Sequence, residues 1–169
     1  LLFEIIHQEK KEVMQLSIGD EAPQFTLKTT DRTDVSLSDY KGRNVVILFF
    51  PAAFTGVCTA ELCSVRDSMA DYAQLDADVL AISVDLPFSL DKFKQEQGYQ
   101  FPLLSDFNKE VSKAYGAFYE EWILGFKGVA KRSAFVVDKE GKIRYAEVLE
   151  NAGEQPNFEA VKSTLQSLS

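Results

Sequence analysis

The sequence predicts a single α/β domain with a mixed central sheet and helices on both faces. Three observations carry that prediction. Two continuous apolar runs, Val45–Phe50 (VVILFF) and Val79–Val84 (VLAISV), are strand-sized and rich in branched and aromatic residues, as strands buried on both faces are. Between them, apolar residues recur at spacings of three and four, so a crossover helix joins the two strands in parallel. Towards the C-terminus, two further strand patterns flank the turn Asp138-Lys-Glu-Gly141, which makes a hairpin.

In chain order, Gln24–Lys28 and Val35–Leu37 read as a small strand pair. Val45–Phe50 is the central strand, and Pro51 stops it because proline has no amide for the ladder. The helix is expected over Thr59–Leu75, with Leu62, Val65, Met69, Tyr72 and Ala73 on its apolar face. Val79–Val84 follows. Ser89 can cap a helix that runs to Gln97 and ends at Gly98. Asn108–Tyr115 reads as a short helix, Ser133–Val137 and Lys142–Val148 as the hairpin, and Phe158–Leu168 as a final helix. Gly19–Pro23 and Gly125–Lys131 read as loops. This order (two strands, a βαβ unit, a helix, a hairpin and a helix) is a thioredoxin-like arrangement.

The chain has 169 residues, a length that suits one domain and buries roughly two thirds of its unfolded surface without a disulfide or metal staple. Acidic residues outnumber basic ones 26 to 18, which argues against nucleic acid and anionic membranes as partners. No apolar run approaches the ~20 residues of a membrane span. The 2 cysteines are too few for a disulfide scaffold, and the single histidine, His7, leaves no Cys/His zinc site. Residues 1–13 lack a basic region ahead of their apolar patch and a small-residue cleavage site, so they make a poor signal peptide. They are expected to be a leader or added extension, with Met14 the natural initiator and residues 14–169 the domain. A reducing cytoplasm is the expected location.

Cys58 stands just past the central strand, at the first turn of the following helix. Helix amides there point outward unpaired, and the macrodipole makes that end positive, which favours a thiolate. Ligands of open α/β sheets also gather at the carboxyl ends of strands. Cysteine is equally a common inert core residue, so position alone decides little.

The neighbouring residues decide more. Pro51, Thr55 and Cys58 match the PxxxTxxC motif of the peroxiredoxins, and the segment FFPAAFTGVCTAELCSVRD resembles that family closely. The resemblance runs from about Leu16 to the C-terminus. It implies a thiol-dependent peroxidase with Cys58 as nucleophile. Pro51 would close the pocket over the sulfur, and the Thr55 hydroxyl would bond both the sulfur and the incoming peroxide. The amides of Val57 and Cys58 would stabilise the charge that develops on the leaving oxygen. The family also uses an arginine beside the nucleophile. The segment Gly128-Val-Ala-Lys-Arg132-Ser-Ala-Phe-Val-Val makes Arg132 that residue, the alternative being a solvent-facing strand end. Glu61 matches an acidic residue of the family that could orient Arg132 or accept a proton, or it is simply a favourable first-turn carboxylate.

Cys63, five residues after Cys58, matches the resolving cysteine of the subgroup called bacterioferritin comigratory protein or peroxiredoxin Q. It would condense with the Cys58 sulfenic acid to an intramolecular disulfide. Five residues on an ideal helix separate Cα atoms by roughly 9 Å, more than the ~7 Å limit for a disulfide, so the helix has to unwind locally. The alternative is a buried structural cysteine and a one-cysteine enzyme. The resemblance implies hydrogen peroxide or organic hydroperoxides as substrate, a thioredoxin-like dithiol as reductant, and no metal, haem or flavin. Monomer and homodimer both stay open. Phe54, Phe88, Phe118 and Trp122 can wall the site, and in relatives such loops form a dimer interface. Glu120-Glu121 reads as a solvated patch. Two other readings are a thioredoxin-type reductase, weakened by the gap between the cysteines, and a redox-controlled binding protein, which the fold would permit.

Overall fold

A computed structural model describes residues 15–169; the expected leader and Met14 lie outside the described residues. The first strands are β1 (Thr26–Thr29) and β2 (Asp34–Ser36), antiparallel and joined by a tight turn. Leu37–Tyr40 forms a 3-10 turn. The central strand β3 (Asn44–Phe49) is buried along its whole length. Helices α1 (Gly56–Asp67) and α2 (Met69–Gln74) cross over to β4 (Ala77–Ser83), which pairs with β3 in parallel. Then come α3 (Pro87–Gln97), β5 (Leu103–Ser105), α4 (Glu110–Ala114), β6 (Phe118–Tyr119) and β7 (Val129–Ala130). Strands β8 (Ser133–Val137) and β9 (Ile143–Val148) form the hairpin, and α5 (Phe158–Ser167) closes the described chain.

The main sheet has 7 strands in the order β2-β1-β5-β4-β3-β8-β9. β3, β4 and β5 run parallel, and the flanking strands pair antiparallel. The alternation of β3 explains the two-sided core. Val46 and Leu48 face a cluster that takes in Leu62, Val65, Tyr72, Phe93 and Leu165 from the helices α1, α2, α3 and α5. Val45, Ile47 and Phe49 face the other cluster, with Phe25, Val111 and Tyr115 around α4. The expected mixed sheet with helices on both faces is therefore present, consistent with a thioredoxin-like fold. No helix among the described residues is long and apolar enough to cross a membrane.

The structure corrects several boundaries. The helix expected from Thr59 to Leu75 starts earlier, at Gly56, because Thr55 is extended (φ −90°, ψ 152°) and its carbonyl takes the first helical bond from the Thr59 amide at 2.9 Å. It also breaks at Ser68, whose amide bonds only three residues back, to the Val65 carbonyl. The third helix starts at Pro87 rather than at a Ser89 cap, since proline at the first helical position lacks only an amide that would be unpaired anyway. Gly98 ends it in the left-handed conformation, φ 67°, as expected. Strand β5 escapes sequence reading because three residues carry no period. The expected loop Gly125–Lys131 contains β7, paired with β6 in a separate two-stranded ribbon.

Candidate active site

The site is built where β3 ends. Pro51 is buried, and the loop behind it turns back on itself: the Thr55 hydroxyl donates to the Ala52 carbonyl at 2.8 Å. The expected hydrogen bond from Thr55 to the sulfur is replaced by this backbone bond. With its proton committed, the hydroxyl oxygen is left as an acceptor towards the cleft. Phe54, at φ 64°, holds a left-handed conformation unusual for a residue with a Cβ. Asp85, just beyond β4, fixes the loop by accepting from the Ala53 amide at 2.9 Å and from the Ser83 hydroxyl at 2.6 Å. Sequence reading missed Asp85; the polar Ser83-x-Asp85 pair at the end of an apolar strand was the available signal.

Cys58 is the third residue of α1 and is 1 % exposed. The amides of Gly56, Val57 and Cys58 precede the first helical bond, so they remain free to bind a substrate oxygen.

Arg132 reaches Cys58 from the strand beside β3. Ser133 pairs with Phe49, and one further step along the register places Arg132 opposite Phe50, level with the start of α1. Its Nη2 donates to Cys58 Sγ at 3.2 Å and to the Ala152 carbonyl at 2.9 Å. Nε donates to the same carbonyl, and Nη1 to the Glu61 carboxylate. One planar fork thus serves three groups, which a lysine could not do. Arg132 is 2 % exposed, so the solvent-facing alternative does not describe it. Burial works against its charge, but Glu61 and then Cys58 outweigh that and hold the guanidinium firmly protonated. Nothing in the sequence could have pointed to Ala152, because it contributes only a backbone carbonyl.

Glu61 lies in the second turn of α1, since the helix starts at Gly56, so the first-turn alternative no longer applies. It is fully buried, and its Oε1 has no hydrogen-bond partner. Burial pushes its carboxyl up to about 7, with Arg132 pulling the other way. A folded value above the ordinary 4.5 means stability that is complete below about pH 4.5 and lost as pH rises through about 7. The stability of the wild type relative to Glu61→Gln therefore falls across that window. Thermal unfolding of both proteins from pH 4 to 8 checks this; parallel curves would contradict it.

A cleft of about 520 Å³ is lined by Thr55, Gly56, Val57, Tyr119, Trp122, Ile123 and Arg132, and Cys58 lies behind this lining, bonded to Arg132. The Trp122 ring stacks on Tyr119 at 6.4 Å. Glu121 reaches the rim. Phe54 and Phe88 are exposed, while Phe118 is half-buried. Cys63 lies one and a half turns beyond Cys58 on the same unbroken helix, and both thiols are free.

A buried thiol bonded to a guanidinium, with free helix amides and a cleft next to that guanidinium, is an arrangement suited to attack by sulfur on an electrophilic oxygen. Residues 18–146 match the AhpC/TSA family. The chain belongs to the peroxiredoxins. Alkyl hydroperoxide reductase E of Mycobacterium tuberculosis is 43 % identical over 79 % of this chain and 86 % of its own length. Peroxiredoxin Bcp of Escherichia coli K12 is 36 % identical over 77 % of this chain and 84 % of its own. The crystal structure of peroxidoxin BcpB from M. tuberculosis superposes with a TM-score of 0.81 at 29 % identity, covering 92 % of this chain and 99 % of the other. These relatives place this peroxiredoxin in the subgroup of bacterioferritin comigratory protein and peroxiredoxin Q. It is an enzyme of thiol-dependent peroxide reduction, and the family implies a peroxide substrate and a thioredoxin-like reductant.

Proposed function

We propose that Cys58 attacks the peroxide and Cys63 resolves the product, in a cycle that a thioredoxin-like dithiol completes. The observation that carries this reading is the Arg132 guanidinium on Cys58 Sγ at 3.2 Å, directly at the open start of α1. The guanidinium fixes the position of the sulfur, and burial keeps bulk water from it. A peroxide in the cleft can donate its hydrogen to the Thr55 oxygen, which directs its distal oxygen at the sulfur. Sulfur then takes that oxygen with its hydrogen, the O–O bond breaks, and the leaving alkoxide or hydroxide takes up the proton that the Cys58 thiol gave up. Arg132 and the amides of Val57 and Cys58 stabilise the charge as it develops. Pro51 shields the sulfur from water. The apolar walls at Val57, Trp122 and Ile123 suit organic hydroperoxides as well as hydrogen peroxide.

The Cys63 sulfur next attacks the sulfenic sulfur; the S–S bond forms, the S–O bond breaks, and the leaving hydroxide takes the proton of the Cys63 thiol and departs as water. Both cysteines lie on α1, so its first turns unwind in each cycle. The dithiol reduces the disulfide and is itself oxidised. A cycle that depends on a supply of dithiols fits a reducing cytoplasm. The domain is read as residues 14–169, as a monomer or homodimer.

Mass spectrometry after one equivalent of hydrogen peroxide tests the cycle. The expected result is loss of two hydrogens in the wild type and a stable gain of one oxygen, on Cys58, in Cys63→Ser. If Cys63→Ser still loses two hydrogens, or turns over normally with the dithiol, the resolving role fails.

A further inference from the structure

The second turn of α1 is tied to the far end of α3 by contacts that peroxide cleavage does not use. Gly98 ends α3 in the left-handed conformation and turns the chain so that Tyr99 lies beneath α1. The Tyr99 ring is 3 % exposed. It packs edge-on against Phe93 at 5.2 Å and stacks on Phe101 at 5.3 Å. Phe93 also touches Phe54 of the active-site loop, at 5.0 Å between centroids.

This aromatic stack aims the Tyr99 hydroxyl at one turn of α1. It donates to the Thr59 carbonyl at 3.4 Å and lies 3.6 Å from Cys63 Sγ. Those two groups bracket a single helical turn, since the Thr59 carbonyl is the helical acceptor for the Cys63 amide. The Cys63 thiol donates to Gln97 Oε1 at 3.5 Å, and Arg66 donates to the Gln97 carbonyl. Burial first, then the contact with Cys63, raises the Tyr99 hydroxyl well above the usual tyrosine range, so it stays a protonated donor. The turn that has to unwind for Cys63 to reach Cys58 is therefore the one that Tyr99 and Gln97 clasp.

We infer that Tyr99 is a positioning residue, a latch that holds the Thr59–Cys63 turn wound and so sets how long the Cys58 sulfenic acid survives before Cys63 resolves it. The inference rests on the reading of Cys63 as the resolving residue. Its consequence is a partition. While the latch is closed, the sulfenate can attack a second peroxide, which adds another oxygen to sulfur and releases an alcohol or water. That product, the sulfinic acid, is lost to the cycle. Once the latch opens, the disulfide forms instead. Tyr99 then adjusts the peroxide level at which the enzyme inactivates itself, without touching the first step.

Tyr99→Phe removes the hydroxyl and keeps the ring in its stack. In the full-length protein, stopped-flow fluorescence of Trp122 and acid-quenched mass spectrometry follow both steps. The rate of sulfenate formation is expected to stay unchanged. Disulfide formation should rise about threefold to tenfold, the effect of losing one modest hydrogen bond, with a matching fall in sulfinic acid at fixed excess peroxide. Amide exchange at Cys63 in the reduced protein should quicken in step. Gln97→Ala, which leaves the aromatic stack intact, should shift the partition the same way. In a Cys63→Ser background, Tyr99→Phe should leave sulfinic acid formation unchanged; a fall there would place the effect on Cys58 and overturn the latch. Equal or slower disulfide formation in Tyr99→Phe overturns the latch alone. Absence of any Cys58–Cys63 disulfide in the wild type overturns the resolving reading, and the latch with it.

Discussion

Replacement of Cys58 by serine is expected to reduce peroxide consumption to the rate of buffer alone while leaving the fold intact. The hydroxyl occupies nearly the same volume in the cluster beneath α1. It can still accept from Arg132 Nη2, which now lies 3.2 Å from the sulfur, so neither a cavity nor an unpaired guanidinium results. What disappears is the nucleophile, because serine is not ionised even beside a guanidinium, whereas sulfur reacts as its anion. A peroxide-consumption assay together with circular dichroism separates the two effects. Residual turnover well above buffer would move the chemistry to Cys63 and remove the basis of the proposed cycle.

Replacement of Arg132 by leucine is expected to damage catalysis and folding together. Loss of the donor facing the developing charge should cost about 10²–10³-fold in the rate constant for peroxide. Glu61 would be left buried without its partner, a situation that typically costs about 3–5 kcal/mol. The double variant Arg132→Leu/Glu61→Leu distinguishes the two roles. Removing both charges should return most of the stability, because a buried pair is often no better than an apolar pair of similar size. It should not return activity. Urea unfolding and stopped-flow peroxide kinetics on the single and double variants check both halves. Recovered activity in the double variant would mean that Arg132 serves only to neutralise Glu61.

The same pair leaves one buried carboxylate oxygen without a hydrogen bond. Glu61 keeps Arg132 in place at the expense of its own solvation, with Oε1 unpartnered. A carboxyl that loses its charge near neutral pH then loosens its hold on the guanidinium. The site and the stability of α1 are therefore linked through one ion pair.

Much of the site was legible in residue order. Pro51, Thr55 and Cys58 sit on one short loop and helix start, so their spacing fixes their relation before anything else folds. Arg132 was legible only through resemblance, because 74 residues separate it from Cys58 and nothing local brings the two together. Glu61 stood ambiguous until the helix start was known: moving it from Thr59 to Gly56 takes the carboxylate out of the first turn. Thr55 stands at the start of α1, but its proton goes to the Ala52 carbonyl, a bond that depends on the backbone path of the loop.

The sequence by itself determined the βαβ core, the hairpin, the position of the thiol at a strand-to-helix junction and the five-residue gap to Cys63. These are local patterns, set by period, by turn residues and by spacing along one chain segment. Only the tertiary structure decided that Arg132 bridges Cys58, Glu61 and the Ala152 carbonyl, that Asp85 anchors the loop, and that Tyr99 and Gln97 clasp the turn carrying Cys63. Each of those contacts joins segments far apart in sequence, through the register of the sheet or the packing of one helix on another. Such contacts are set by where whole elements meet, and no periodicity within a single element encodes that.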